Sequence, residues 1–178
     1  SFRAQMRTGL VHARDNRPLL NTLKRSALFF LFGSAYWALL PLVAHEQLSG
    51  GPGLFGLLVG SIGVGAVVGA LLLPPLRARW GLDRTVTVGT IGTAIALAGF
   101  ALGRSPLVGL LTALLAGASW IAALSSLNVA AQLAVPDWVR ARGMALYTSV
   151  FYGCLALGSL FWGQLASWLG LTTTLSGA

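Results

Sequence analysis

The sequence predicts an all-α integral membrane protein of five transmembrane helices, and three observations carry that prediction: scarcity of charge, five long uncharged intervals, and arginines gathered on alternate connections. Of 178 residues, 56% are hydrophobic and 9% are charged, against roughly 25% charged in an average soluble domain. Uninterrupted by charge are 26–44, 47–76, 85–103, 105–136 and 143–178. About 20 apolar residues in a helix span the ~30 Å hydrocarbon layer, and helices satisfy their own backbone hydrogen bonds there. The alternating ten-residue segments of a membrane barrel are not found in the sequence.

Residues 1–25 read as a basic cytoplasmic connecting segment, with Pro18 set against a continuous amphipathic helix. A transmembrane bundle follows over 26–171, with spans near 26–44, 54–73, 85–103, 107–133 and 144–168. Ser49-Gly50-Gly51-Pro52-Gly53 separates the first two, Pro74-Pro75 is expected to close the second, and Ser105-Pro106 opens the fourth. Residues 172–178 read as an outside tail cut short before a last helix. With the amino terminus in the cytoplasm, Arg3, Arg7, Arg14, Arg17, Lys24, Arg25, Arg77, Arg79, Arg84, Arg140 and Arg142 all fall inside, leaving Arg104 as the single outside cation. This asymmetry orients the chain in a membrane, the bacterial inner membrane being the expected one. It also accounts for the net charge of +8 without nucleic acid, because the cations cap helix ends in separate loops instead of forming one stripe.

An internal repeat adds to the topology. Leu76, Gly81 and Leu82 recur as Leu165, Gly170 and Leu171 at a constant offset of 89, while Arg77, Arg79 and Arg84 give way to Ala166, Trp168 and Thr173. Three helices reverse sidedness, so loss of cations in the second copy fits an inverted three-helix repeat. The run Pro136-Asp137-Trp138-Val139-Arg140-Ala141-Arg142-Gly143-Met144-Ala145-Leu146-Tyr147, with Gly158-Ser159-Leu160-Phe161-Trp162-Gly163-Gln164, resembles the helix-ten-to-eleven connection of major facilitator superfamily transporters. Tyr36-Trp37-Ala38-Leu39-Leu40-Pro41-Leu42 resembles their helix seven. The resemblance is to the carboxy-terminal half, in the bacterial efflux branch that includes the enterobactin exporter. It implies a major-facilitator-type half whose five spans are helices seven to eleven, with a missing amino-terminal half as partner. The loop 74–84 matches the superfamily's cytoplasmic loop signature at Arg79 and Gly81, whereas Pro74 and Ala78 replace its first Gly and its Asp.

Polar side chains at bilayer depth are costly and mark candidate sites. Ser125, Asn128 and Gln132 fall at i, i+3 and i+7 on span four and share one helical stripe with Ile121. The family resemblance places that helix on the central cavity. The alternative is an interhelical hydrogen bond that ties the bundle together. Ser34, Tyr36 and Trp37 lie near the middle of span one and Tyr152 lies on span five; aromatic walls suit flat, hydrophobic or cationic substrates. Gly56-x-x-x-Gly60 and Gly65-x-x-x-Gly69 on span two are spaced for close helix packing. The cytoplasmic loop residues are Arg77, Arg79, Gly81, Arg84, Arg140 and Arg142.

Catalytic groupings are missing from the sequence. Asp15, Glu46, Asp83, Asp137, His12 and His45 all fall outside the predicted spans, and Cys154 stands alone, so no enzyme, metal or cofactor is expected. Because proton coupling usually needs an ionisable group within the membrane, its titrating residue is expected on the missing half. The sequence thus predicts part of a secondary transporter that exports small, fairly hydrophobic molecules. The alternative is a noncatalytic membrane scaffold, and membrane lipid is a partner in either case.

Overall fold

In the computed structural model, which describes residues 16–178, the chain folds almost entirely into helices, and no strand occurs among the described residues. Helix α1, Arg17–Leu42, starts nine residues before the interval expected to span. Its N-cap is Asn16, whose side chain accepts from the Leu19 N–H at 3.1 Å. Pro18 sits in the first turn, where its missing N–H leaves no bond unmade. Residues 17–25 of the expected connecting segment are therefore helical. Arg3, Arg7, His12, Arg14 and Asp15 lie outside the described residues. Beyond Pro41 the helix widens into a π-turn, Val43–Gln47.

The second helix departs furthest from expectation. Helix α2, Pro52–Leu102, keeps its helical conformation through Pro74-Pro75, and the break falls instead at Gly81, with φ 76° and ψ 173°. That region of backbone space is open essentially to glycine alone. A straight helix of this length would extend about 76 Å, more than twice the hydrocarbon layer; Gly81 turns the chain back on itself. Two missing N–H groups at the prolines unpair only two carbonyls. Helices α3, Pro106–Leu133, and α4, Arg140–Leu169, follow, with a 3-10 turn at Asp137–Val139 between them. Residues expected to form a tail make a short helix, α5, Leu171–Gly177. Among the described residues four helices are long and apolar enough to cross a membrane, the second of them folded at Gly81 into limbs 52–80 and 82–102.

Small residues bring the rods together. A Cβ built on Gly65 would strike the Leu114 carbonyl, one on Gly69 would lie 2.8 Å from the Ala118 Cα, and one on Gly117 would strike the Ile62 carbonyl. The first limb of α2 thus runs parallel to α3 at backbone contact. Gly89, Gly92 and Gly99 meet Ala123, Ser119 and Thr112 in descending order, so the second limb runs antiparallel along the same helix. Gly56 and Gly60, expected at a packing face, are exposed, and a Cβ on either would meet nothing within 4 Å. The glycine contacts with α3 instead use a face further along the first limb.

Helices α1 and α4 form the other close pair. A Cβ on Gly158 would collide with Ser34 and the Leu31 carbonyl. Ser34 Oγ and Trp162 Nε1 both donate to that carbonyl, at 2.8 and 2.7 Å. Gly158 stands 89 residues after Gly69, so the spacing that relates the two loops also relates the two glycine contacts. The turns match as well. Gly170 has φ 81° and ψ 160°, close to Gly81, and the Thr174 hydroxyl donates to the Gly170 carbonyl at 2.8 Å as Thr85 does to that of Gly81 at 2.7 Å.

Polar ties join the rods at both ends. Asn16 Nδ2 donates to the Ala134 carbonyl at 2.7 Å, and Arg25 pairs with Asp83 at 2.5 Å, which puts the start of α1, the Gly81 turn and the end of α3 at one end. At the other end, Gln47 Nε2 donates to the Phe100, Ala101 and Gly103 carbonyls at 2.6, 2.9 and 2.8 Å and covers acceptors that a helix terminus leaves open. Apart from Arg104, the described arginines lie toward the first end, called the basic end below. Replacing Gly117 or Gly65 by Leu should lower the thermal midpoint of the detergent-solubilised protein by an amount equivalent to about 1–3 kcal/mol, from overpacking. Gly60→Leu should leave it within about 0.5 kcal/mol; equal losses at all three positions would contradict this packing.

Candidate functional site

The polar stripe on α3 is partly open. Ser125 and Asn128 are half-buried, Gln132 is exposed, and the Gln132 amide donates to Asn128 Oδ1 at 2.6 Å. Ser125 is also an acceptor: Arg77 Nη2 donates to its Oγ at 2.7 Å, while Arg77 Nε donates to the enclosed Ser126 at 3.1 Å. Arg77 was expected to anchor a loop. Because α2 continues past the prolines to the Gly81 turn, Arg77 stays on the helix and turns onto α3 instead. It lies one turn beyond the buried Leu73 and about 40° around the helix from it, a spacing that does not by itself say which helix stands opposite.

The aromatic candidates divide. Tyr36 and Ser34 are fully enclosed, each with 0% exposure, so they pack the bundle instead of lining an open wall. Trp37 is 38% exposed and Tyr152 is 62% exposed. Trp120, which the sequence reading passed over, is the hub of the cluster. Its ring centroid lies 5.3 Å from Phe29, 5.7 Å from Phe30, 5.8 Å from Tyr36 and 6.1 Å from Trp37. Gly33 makes room for it, since a Cβ there would reach 3.0 Å from the indole. A tryptophan at mid-span, far from the usual interfacial belt, was the available signal. At 3.6 residues per turn, Trp120 stands about 140° around α3 from Ser125, so the aromatic cluster and the polar stripe occupy different faces. Tyr152 sits at the outer edge of the aromatic cluster, contacting Phe151 at 4.6 Å, which in turn meets Phe30 at 4.5 Å.

The remaining loop residues serve the basic end. Arg79, Arg84, Arg140 and Arg142 are exposed, and Arg140 pairs with Asp137 three residues earlier. Gly81 is the turn itself. Although Ala78 fills the acidic position of the loop signature, the loop still carries a carboxylate contact, through Asp83 to Arg25.

The buried hydroxyl of Tyr36 has no hydrogen-bond partner among the described residues. Tyr36→Phe should therefore leave the thermal midpoint unchanged or raise it. Trp162→Phe removes the donor to the Leu31 carbonyl and should cost about 1–2 kcal/mol by the same measurement; the reverse order would show that Tyr36 has an unseen partner.

Residues 1–178 match the family model described as a transmembrane secretion effector, of the major facilitator type. No curated protein and no solved structure matches the chain. The all-helical architecture, with apolar rods that pack through glycine and turn at Gly81, agrees with the match along the whole sequence. The chain belongs to the transmembrane secretion effector family of the major facilitator superfamily.

Proposed function

We propose that this chain is the carboxy-terminal half, helices seven to eleven, of a bacterial efflux transporter that exports small, fairly hydrophobic molecules such as drugs or siderophores by alternating access. The observation that carries the reading is the polar stripe Ser125, Asn128 and Gln132, half-buried at its deep end and exposed at Gln132 on a membrane helix. At the depth of Ser125 and Asn128 a polar side chain facing hydrocarbon would lose hydrogen bonds to water without replacement, so such a face belongs on a water-filled path or against a second protein surface. An amino-terminal half would supply the opposite wall. The amino end of the chain lies in the cytoplasm of an inner-membrane protein, in keeping with the arginines at the basic end.

In this reading Trp37 and Tyr152 offer aromatic surface to cargo, and Asn128 and Gln132 offer hydrogen bonds. Proton coupling draws on the amino-terminal half, because an arginine keeps its proton at physiological pH. Asn128→Ala in the full-length transporter should lower export of a transported dye about tenfold with the amount of folded protein unchanged, and unchanged export would remove Asn128 from the path. Dye movement into reconstituted vesicles should require an imposed pH gradient; equal movement without one would remove the coupling.

A further inference from the structure

We propose that Arg77, oriented by Ser125 and Ser126, is the receptor for one anionic group, a carboxylate or a phosphate, at the basic end of the polar stripe. The inference rests on the transporter reading and deepens it, since it makes the cargo a hydrophobic molecule with an acidic head. Position comes first. Arg77 continues the line of Gly65, Gly69 and Leu73 at four-residue intervals, all three of which are buried. Cα–Cβ bonds tilt toward a helix's amino end. In the first limb of α2 that direction leads away from the basic end, so this side chain leans inward and not toward water. Its partner Ser125 lies about 12 Å along α3 from the helix's end at Leu133, within the hydrocarbon layer for a helix centred on it.

Charge comes second. Arg25 and Arg140 each have a carboxylate, Asp83 and Asp137, whereas no carboxylate pairs with Arg77 among the described residues. Two hydroxyls orient the guanidinium without neutralising it. An unpaired cation at this depth is expensive, and an incoming anion removes the cost. Geometry comes third. A guanidinium carries five N–H donors, and Ser126 and Ser125 take one each through Nε and Nη2, leaving three for a ligand. A planar fork with free donors favours two-point recognition of carboxylate or phosphate oxygens. Asn128, one turn from Ser125, accepts from Gln132 through Oδ1 and keeps its own NH2 for the same ligand.

The test uses the full-length protein in phosphatidylcholine nanodiscs, with octanoate, octanol and octylamine as probes of one chain length, read by tryptophan fluorescence and thermal midpoint. Octanoate should bind about tenfold tighter than octanol or octylamine, the preference should vanish in Arg77→Gln, and it should persist in Arg17→Gln. If Arg77→Gln does not fold, Ser125→Ala should weaken the preference while Arg77→Lys keeps part of it. Phosphatidylglycerol nanodiscs separate the sources: weaker octanoate binding there identifies a lipid phosphate as occupant, unchanged binding a soluble carboxylate, and either supports the receptor. Equal binding of octanoate and octanol, or a preference that survives in Arg77→Gln and Ser125→Ala, would overturn it. Export of a neutral dye by a protein without the octanoate preference sinks the receptor alone. A protein that keeps the preference yet moves no cargo into vesicles sinks the transporter reading alone.

Discussion

Direct approach of helix backbones is the constraint on which the rest of this structure depends. In lipid, apolar side chains gain little by leaving the solvent, so rods associate by close packing and by the polar contacts that packing permits. Gly65, Gly69 and Gly117 let the first limb of α2 touch α3, and Gly158 lets α4 touch α1. Two of the side-chain contacts need those distances. Arg77 reaches Ser125 and Ser126 because its helix lies against theirs, and Trp162 reaches the Leu31 carbonyl because Gly158 brings α4 close.

The two close pairs are related through the chain's own repeat. Gly69 and Gly158 hold corresponding positions, and so do Gly81 and Gly170, which share a glycine-only backbone conformation and a threonine hydroxyl four residues on. Likeness in these places has a physical source, because each is a site where a side chain or a different φ would block the turn or the contact. The intervening positions, which face neighbours of different shape, differ between the copies. Arg77 against Ala166 is the divergence with the largest chemical consequence, placing one cation among hydroxyls in one copy and a methyl group in the other.

The structure separates three kinds of face. The polar stripe with Arg77 lies on one side of α3; the aromatic hub at Trp120 lies on another, enclosed against α1; and broad apolar surfaces on α2 and α4, including Leu71, Leu72, Leu157 and Leu160, stay exposed. The last suit lipid tails or another apolar surface. The first suits neither, and this contrast within one helical bundle directs attention to the stripe.

The sequence by itself determined the helical class, the intervals available to cross a membrane and the likeness between the loops, because solvation by lipid acts residue by residue and leaves its record in composition and charge spacing. Its stripe Ser125, Asn128 and Gln132 was legible for the same reason, as helical periodicity is a local property. Only the tertiary structure decided that the turn falls at Gly81 and not at Pro74-Pro75, that Gly65 and Gly69 make contacts while Gly56 and Gly60 do not, that Tyr36 is enclosed while Trp37 is open, and that Arg77 turns onto α3 instead of toward water. Those outcomes depend on which helix stands opposite each face, and contacts between residues nearly fifty positions apart are not encoded in the spacing of either helix alone.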